Sequence, residues 1–426
     1  MSDDKNLPRS QWATSKPGTE SEPVVEPVVE PVVEPVVEPV VEDIINDSGM
    51  DDFMIDMPDI PEIDDSSEPT GIVEDECDTA FDFCFIGTGQ GGSRVAESFW
   101  KLGYRRVCCI NTTNQDLTAI DIPEANKLVI GDGGAGKEMA KGEEAARTNY
   151  ENIYDLMKRC FGKKFDRIFV CIGAGGGTGS GTGDTVINIA HDIAQSSKIE
   201  EEGGTSAVGV IASLPKTAEG VKVNANAHVV MESLFAQADA KTISPLVILD
   251  NEKIGEVFPN VTVNKFWDVA NRNLASLFNL FNTIATKDSP YTTFDRADLK
   301  DILDGGTLSF GACPIKQWQK LTDISFSIRD NLTRNVLVAG FDFKKAQKAA
   351  CVFIGHPDVL GNIPQNFLEH GFEMLSRTMA DDSVVHRGIY PGGREGIVVY
   401  TMMGGLGRPE ERMSEIAKIG RINSGE

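Results

Sequence analysis

Between Gly173 and Gly183 seven of eleven residues are glycine, in the run Gly-Ala-Gly-Gly-Gly-Thr-Gly-Ser-Gly-Thr-Gly. Each glycine costs chain entropy, about 0.4–1 kcal/mol wherever an alanine would be accepted. So dense a run marks a place where backbone must come close to something. Two further glycine turns accompany it, Gly87-Thr88-Gly89-Gln90-Gly91-Gly92 and Gly131-Asp132-Gly133-Gly134-Ala135-Gly136. A strand that empties into such a turn and then a helix start offers bare N–H groups and the positive end of a helix to an anion. A nucleotide phosphate fits that chemistry.

The surrounding patterns say what positions these turns. Apolar strand runs precede all three: Phe81–Ile86, Lys127–Ile130 and Arg167–Ile172. A helical pattern with Val95, Phe99 and Leu102 follows the first turn, and one with Val186, Ile187, Ala190 and Ile193 follows the central run. Strands alternating with helices predict an α/β fold with a doubly wound parallel sheet, in which such turns gather along the carboxyl edge. Three loops on one edge could then wrap one ligand.

Two simpler readings fit less well. Gly87, Gly89 and Gly92 satisfy GxGxxG after a strand, but a dinucleotide site wants an acid after the second strand. Here Arg106–Ile110 runs into Asn111. Gly131 to Lys137 has P-loop spacing, yet Glu138 stands where the magnesium-binding Ser or Thr belongs.

Charge is concentrated at one end. Residues 1–78 hold 23 acidic and 3 basic residues, a net −20, of the −25 carried by all 426; −5 remains for the other 348. No basic face appears, which argues against a nucleic-acid partner. Pro-Val-Val-Glu repeats five times from Pro23 to Glu42. Proline at every fourth position excludes helix and central strand, so a disordered, extended acidic arm is expected. Asp51–Pro61 mixes acids with Phe53, Met54, Ile55 and Met57 and is the better place for a protein partner to dock. Eight cysteines without CxxC spacing, no apolar leader and no stretch of about 20 apolar residues point to a reducing, cytoplasmic location without a membrane span.

Taken in order, these motifs resemble the FtsZ/tubulin family of GTP-dependent filament proteins. Gly175-Gly176-Gly177-Thr178-Gly179-Ser180-Gly181 is similar to the family's phosphate-binding signature, and Ile86–Gly92 to its first loop. Asn111-Thr112-Thr113-Asn114-Gln115-Asp116-Leu117 resembles the FtsZ pattern Asn-Thr-Asp-x-Gln-x-Leu, and Gly134-Ala135-Gly136 resembles the third loop. The resemblance spans about residues 81–407. It implies GTP or GDP as ligand, with Mg2+, bound by Gly89, Gln90, Gly91, Asn114, Gly134, Ala135, Gly136, Gly175, Gly176, Gly177, Thr178, Gly179 and Ser180. Glu219 matches the acid that meets the ribose, while Val223 stands where the family usually has Arg. Trp267 and Asn271, four apart and so on one helix face, match the residues that stack on guanine and read its edge. An amide suits guanine, since it both donates and accepts.

Thr293-Phe294-Asp295-Arg296-Ala297-Asp298 resembles the family's catalytic loop, with Thr293 in place of Asn. That resemblance implies that Asp295 and Asp298 polarise water in the nucleotide site of the next subunit. Asp295 also suits the N-cap of the helix through Leu299 and Leu303. Thr113 stands where the FtsZ pattern has Asp, and no metal-ligand set is assigned.

The resulting domain expectation is an arm (1–78), a nucleotide-binding domain (79–261), a central helix (262–285), a smaller α+β domain with the catalytic loop (286–407) and a tail (408–426). Strands are expected at Val336–Phe343, Ala350–Gly355, Val384–Tyr390 and Gly396–Met403, with a helix over Gln365–Thr378. The implied function is a GTPase that polymerises head to tail and hydrolyses GTP between subunits. The alternatives are a GTP-binding filament or scaffold protein with little hydrolysis and, further off, an NAD-binding Rossmann oxidoreductase.

Overall fold

The computed structural model describes residues 79–197, 199, 206–262, 265–333, 340–392 and 396–421. The repeats, the Asp51–Pro61 segment and most of the strand expected over Val336–Phe343 lie outside them.

The first strands are short apolar runs whose alternate side chains face opposite ways. β1 (Phe83–Thr88) sends Phe83 and Phe85 to one face and Cys84 and Ile86 to the other. β4 (Arg167–Gly173) does the same with Phe169 and Cys171 against Ile168, Val170 and Ile172. Burial on both faces is what makes such strands read as continuous hydrophobic runs. β2 (Val107–Asn111), β3 (Lys127–Val129), β5 (Val208–Leu214) and β6 (Leu246–Asp250) join them, all parallel, in the order β3-β2-β1-β4-β5-β6.

Helices cover both faces. α1 (Gly89–Lys101) starts directly at the end of β1, and the short α2 (Asn114–Thr118) follows β2. α3 (Met139–Thr148), α4 (Tyr150–Phe161), α5 (Thr178–Ser196) and α6 (Val221–Asp239) follow, and α7 (Asn251–Val257) starts where β6 ends. The central helix α8 (Phe266–Ile284) packs on the α1 side of the sheet. There Phe278 meets Phe83, Phe99 and Phe169 edge to face, with ring centroids 5.4, 5.8 and 5.0 Å apart.

After α9 (Arg296–Leu303) comes β7 (Thr307–Pro314), a strand the sequence pattern did not announce. It lies parallel to β6 and antiparallel to β10 (Ile397–Gly404), so the sheet continues without a break through β7-β10-β8-β9 to ten strands. β8 (Lys348–Gly355) and β9 (Val384–Pro391) pair parallel. α10 (Leu321–Thr333) and α12 (Gln365–Thr378) pack over that end, and the one-turn α11 (Pro357–Leu360) links β8 to α12. Finally α13 (Glu410–Ile419) returns to the face of the parallel half, burying Met413 and Ile416. Its Arg412 forks onto Asp250 at the end of β6, at 2.8 and 3.1 Å. The chain is thus a mixed α/β protein built on one large, mostly parallel sheet.

Candidate functional site

In a parallel sheet every strand ends on the same edge, and here the loops after β1, β2, β3, β4 and β5 meet there around a cleft of about 400 Å³. Its walls include Gly89, Gln90 and Gly91 from the first loop and Gly134, Ala135 and Gly136 from the third. Gly175, Gly176, Gly177, Thr178 and Gly179 come from the central run, and Glu219, Trp267 and Asn271 lie toward the α8 side. Fourteen of the sixteen residues expected to bind ligand therefore share one cavity.

The two exceptions have local reasons. Asn114 opens α2 as an exposed residue and does not line the cleft; Asn111 and Asp116 from the same segment do. Asn111 Nδ2 donates to Asp116 at 3.1 Å. Ser180 is buried, its hydroxyl donating to the Ala174 carbonyl, so it closes the central loop from behind.

The glycines divide into two sets. A Cβ on Gly181 would sit 2.1 Å from the Met139 carbonyl oxygen, and one on Gly92 2.0 Å from that of Cys171. Those positions are occupied by the protein's own backbone, which lets α3 lie against α5 and α1 against β4. Gly133, Gly134 and Gly136 instead face open space, as Gly176 nearly does. Only this second set leaves room for a ligand to approach the backbone.

Several contacts set the loops relative to one another. Thr112 and Thr178 share a hydroxyl hydrogen bond of 2.7 Å at the start of α5. Asn226, on α6, donates through Nδ2 to the carbonyls of Lys137 (3.0 Å), Gly175 (3.3 Å) and Gly176 (3.4 Å), tying the third loop to the central run. Sequence reasoning missed Asn226, because nothing local distinguishes an asparagine inside an apolar helix pattern. It also missed Arg94, one turn into α1, which lines the cleft with its guanidinium 5.6 Å from the Trp267 ring centroid.

At the α8 end, Asn271 is 4% exposed and lines the cleft, its side-chain amide without a hydrogen bond to any described residue. Glu219 accepts the Lys216 N–H at 2.9 Å, which fixes its carboxylate at the start of α6. Val223, at the position where the resembled family usually has Arg, packs against Gly175 and is buried.

Asp295 and Asp298 are elsewhere. Asp295 caps α9, accepting from the N–H groups of Ala297 and Asp298 at 2.8 and 3.0 Å, and Asp298 accepts the Asp295 N–H at 3.1 Å. Arg296, next to them, bonds Asp166 at 2.7 Å and the Ala80 carbonyl, just before β4 and β1 begin. The acids thus lie at the amino end of the strands and the cleft at the carboxyl end. A seven-residue strand such as β4 spans about 23 Å, so neither carboxylate reaches its own chain's cleft.

Residues 82–259 match the Tubulin/FtsZ family, GTPase domain. The cell division protein FtsZ of Methanothermobacter thermautotrophicus is 30% identical over 232 residues, 53% of this chain and 54% of that protein. The tubulin-like protein CetZ of Pyrococcus abyssi is 25% identical over 331 residues, 75% of this chain and 84% of its own length. In fold, the GTPγS-form protofilament subunit of Bacillus thuringiensis serovar israelensis TubZ superimposes with a TM-score of 0.69 at 19% identity, over 81% of this chain and 92% of that one. Over residues 82–259, less than half of the chain, the sequence is thus similar to the Tubulin/FtsZ GTPase domain, and the fold is similar to that of TubZ. The chain spans about half the length of the first curated relatives it matches. Gly87, Gly89 and Gly92 fall within the matched GTPase-domain segment, which speaks against the NAD-binding alternative. Among the described residues no helix is long and apolar enough to cross a membrane.

Proposed function

We propose that this chain binds GTP in the cleft, assembles head to tail, and hydrolyses the nucleotide where α9 of one subunit meets the cleft of the next. The observation that carries this reading is the convergence of three glycine loops on a cavity that also holds an indole and an uncommitted buried amide. Backbone N–H groups and the start of α5 suit phosphates, Glu219 suits ribose hydroxyls, and Trp267 with Asn271 suits a guanine.

Hydrolysis then requires assembly, because Asp295 and Asp298 stand at the opposite end of the strands. A carboxylate beside water, facing a γ-phosphate held by N–H dipoles, is adequate for phosphoryl transfer. The contact is heterologous and does not close on itself, so filaments are the expected product. Mg2+ would supply charge neutralisation on the phosphates. Among the described residues no cluster of three or more acids, cysteines or histidines could cage a metal. Such an ion would be borne chiefly by phosphate oxygens and water, and the cleft-lining Thr112, Thr178 and Asp116 would offer protein oxygens to hold it. The N-terminal arm, with its apolar-acidic segment, is the proposed place for a protein partner.

Light scattering with GTP against GDP tests ligand and assembly together; a rise with GTP alone is expected. Asp298→Ala should keep GTP uptake and GTP-dependent scattering but lower phosphate release by about 10²-fold or more. Unchanged release would assign α9 no part in hydrolysis and favour a filament or scaffold protein with little turnover.

A further inference from the structure

Asp298 is not held by its own helix alone. His386 on β9 sits between two carboxylates of α9, with Nδ1 2.7 Å from Asp298 Oδ1 and Nε2 3.0 Å from Asp301 Oδ2. The other Asp301 oxygen takes the ammonium of Lys348 from β8. The ring's hydrogen bond runs through Nε2 to Asp301, and toward Asp298 it presents Nδ1 at ion-pair distance. The second oxygen of Asp298 is occupied by the Asp295 N–H. Both oxygens are thereby fixed, one from the helix start and one from a strand far away in sequence. Asp295, by contrast, is exposed and accepts only from N–H groups of its own helix.

We propose that His386 is a positioning residue for hydrolysis, holding the Asp298 carboxylate in the orientation that α9 presents to the neighbouring subunit's nucleotide. This rests on the function proposed above and adds to it a residue that neither touches nucleotide nor lies near the cleft. The Coulomb gain of a partly exposed pair is small; its value is geometric. A carboxylate free to rotate about χ2 spends much of its time misaligned, and an error of about 1 Å in a reacting group costs on the order of 10²-fold.

Asparagine and glutamine separate positioning from mere packing. The Asn Nδ2 falls where Nδ1 was and keeps a polar contact with Asp298; the Gln Nε2 reaches toward Asp301 and leaves Asp298 loose. With the full chain and GTP as probe, His386→Asn should retain most of the turnover. His386→Gln and His386→Ala should lower kcat, read on assembled filaments, by roughly tenfold, with KM unchanged, since the chain's own cleft lies at the other end of the strands. Should His386→Ala fail to fold, the Asn–Gln comparison still decides. Equal kcat in the Asn and Gln variants, whether high or low, overturns the proposal. An inactive Asp298→Ala beside a fully active His386→Gln overturns this inference alone. A fully active Asp298→Ala overturns the hydrolytic reading and this inference with it.

Discussion

On the proposed function, Trp267 and Asn271, which both line the cleft, would carry its selectivity for guanine. Base stacking on an aromatic ring is worth about 1–3 kcal/mol, so Trp267→Ala should weaken GTP binding by that amount in a fluorescence titration. Asn271→Leu removes a buried amide without changing the helix and should narrow the preference for GTP over ATP in a competition assay. Acid sensitivity is a matter of single residues too. Partial burial raises the Asp301 pKa, but the bonds and charge of Lys348 and His386 outweigh it and hold the carboxyl below its ordinary value. A depressed carboxyl stabilises the fold above its unfolded pKa and loses that contribution as the pH falls through the folded one. The stability gap between the wild type and Lys348→Met should therefore be full above about pH 4 and close on further acidification, as read by circular dichroism.

Secondary-structure elements show why some glycines are structural. Gly181→Ala forces a Cβ into the Met139 carbonyl between α3 and α5 and should cost about 1–3 kcal/mol, visible as a lower Tm. Gly134→Ala meets nothing within 4 Å; it should leave the Tm nearly unchanged and lower GTP affinity instead. From sequence alone both glycines read as parts of ligand loops, because a glycine run does not say whether ligand or a second helix will occupy the space. β1 and β4 were legible since strands buried on both faces are apolar throughout. β7 was not: Ser309, Gly311 and Pro314 dilute its pattern, and only pairing with β6 and β10 makes it a strand. Arg94, Asn226 and His386 escaped for a related reason. Each acts on a segment distant in the chain, and a side chain's partner across the fold leaves no local mark.

At the scale of the whole molecule, a site divided between two subunits makes a distinctive prediction. A cleft-defective chain (Trp267→Ala with Asn271→Leu) and Asp298→Ala should each turn over GTP poorly when alone. Mixed in equal amounts, about one interface in four pairs an intact cleft with an intact α9, and phosphate release should partly recover. No recovery would place cleft and acids in the same subunit's reaction.

The sheet is unequal along its length. Two residue pairs join β6 to β7, Leu246 with Thr307 and Val247 with Leu308, whereas seven join β7 to β10. α8 helps to reinforce that narrow seam, through Phe278 lying against Phe169 on one side and Phe310 on the other, at 5.0 and 5.7 Å. Under a pulling force applied across the molecule, rupture should begin there, peeling the β7–β10 half away before either half unravels. Optical-tweezer traces should show two rips, the first displaced to lower force by Phe278→Ala.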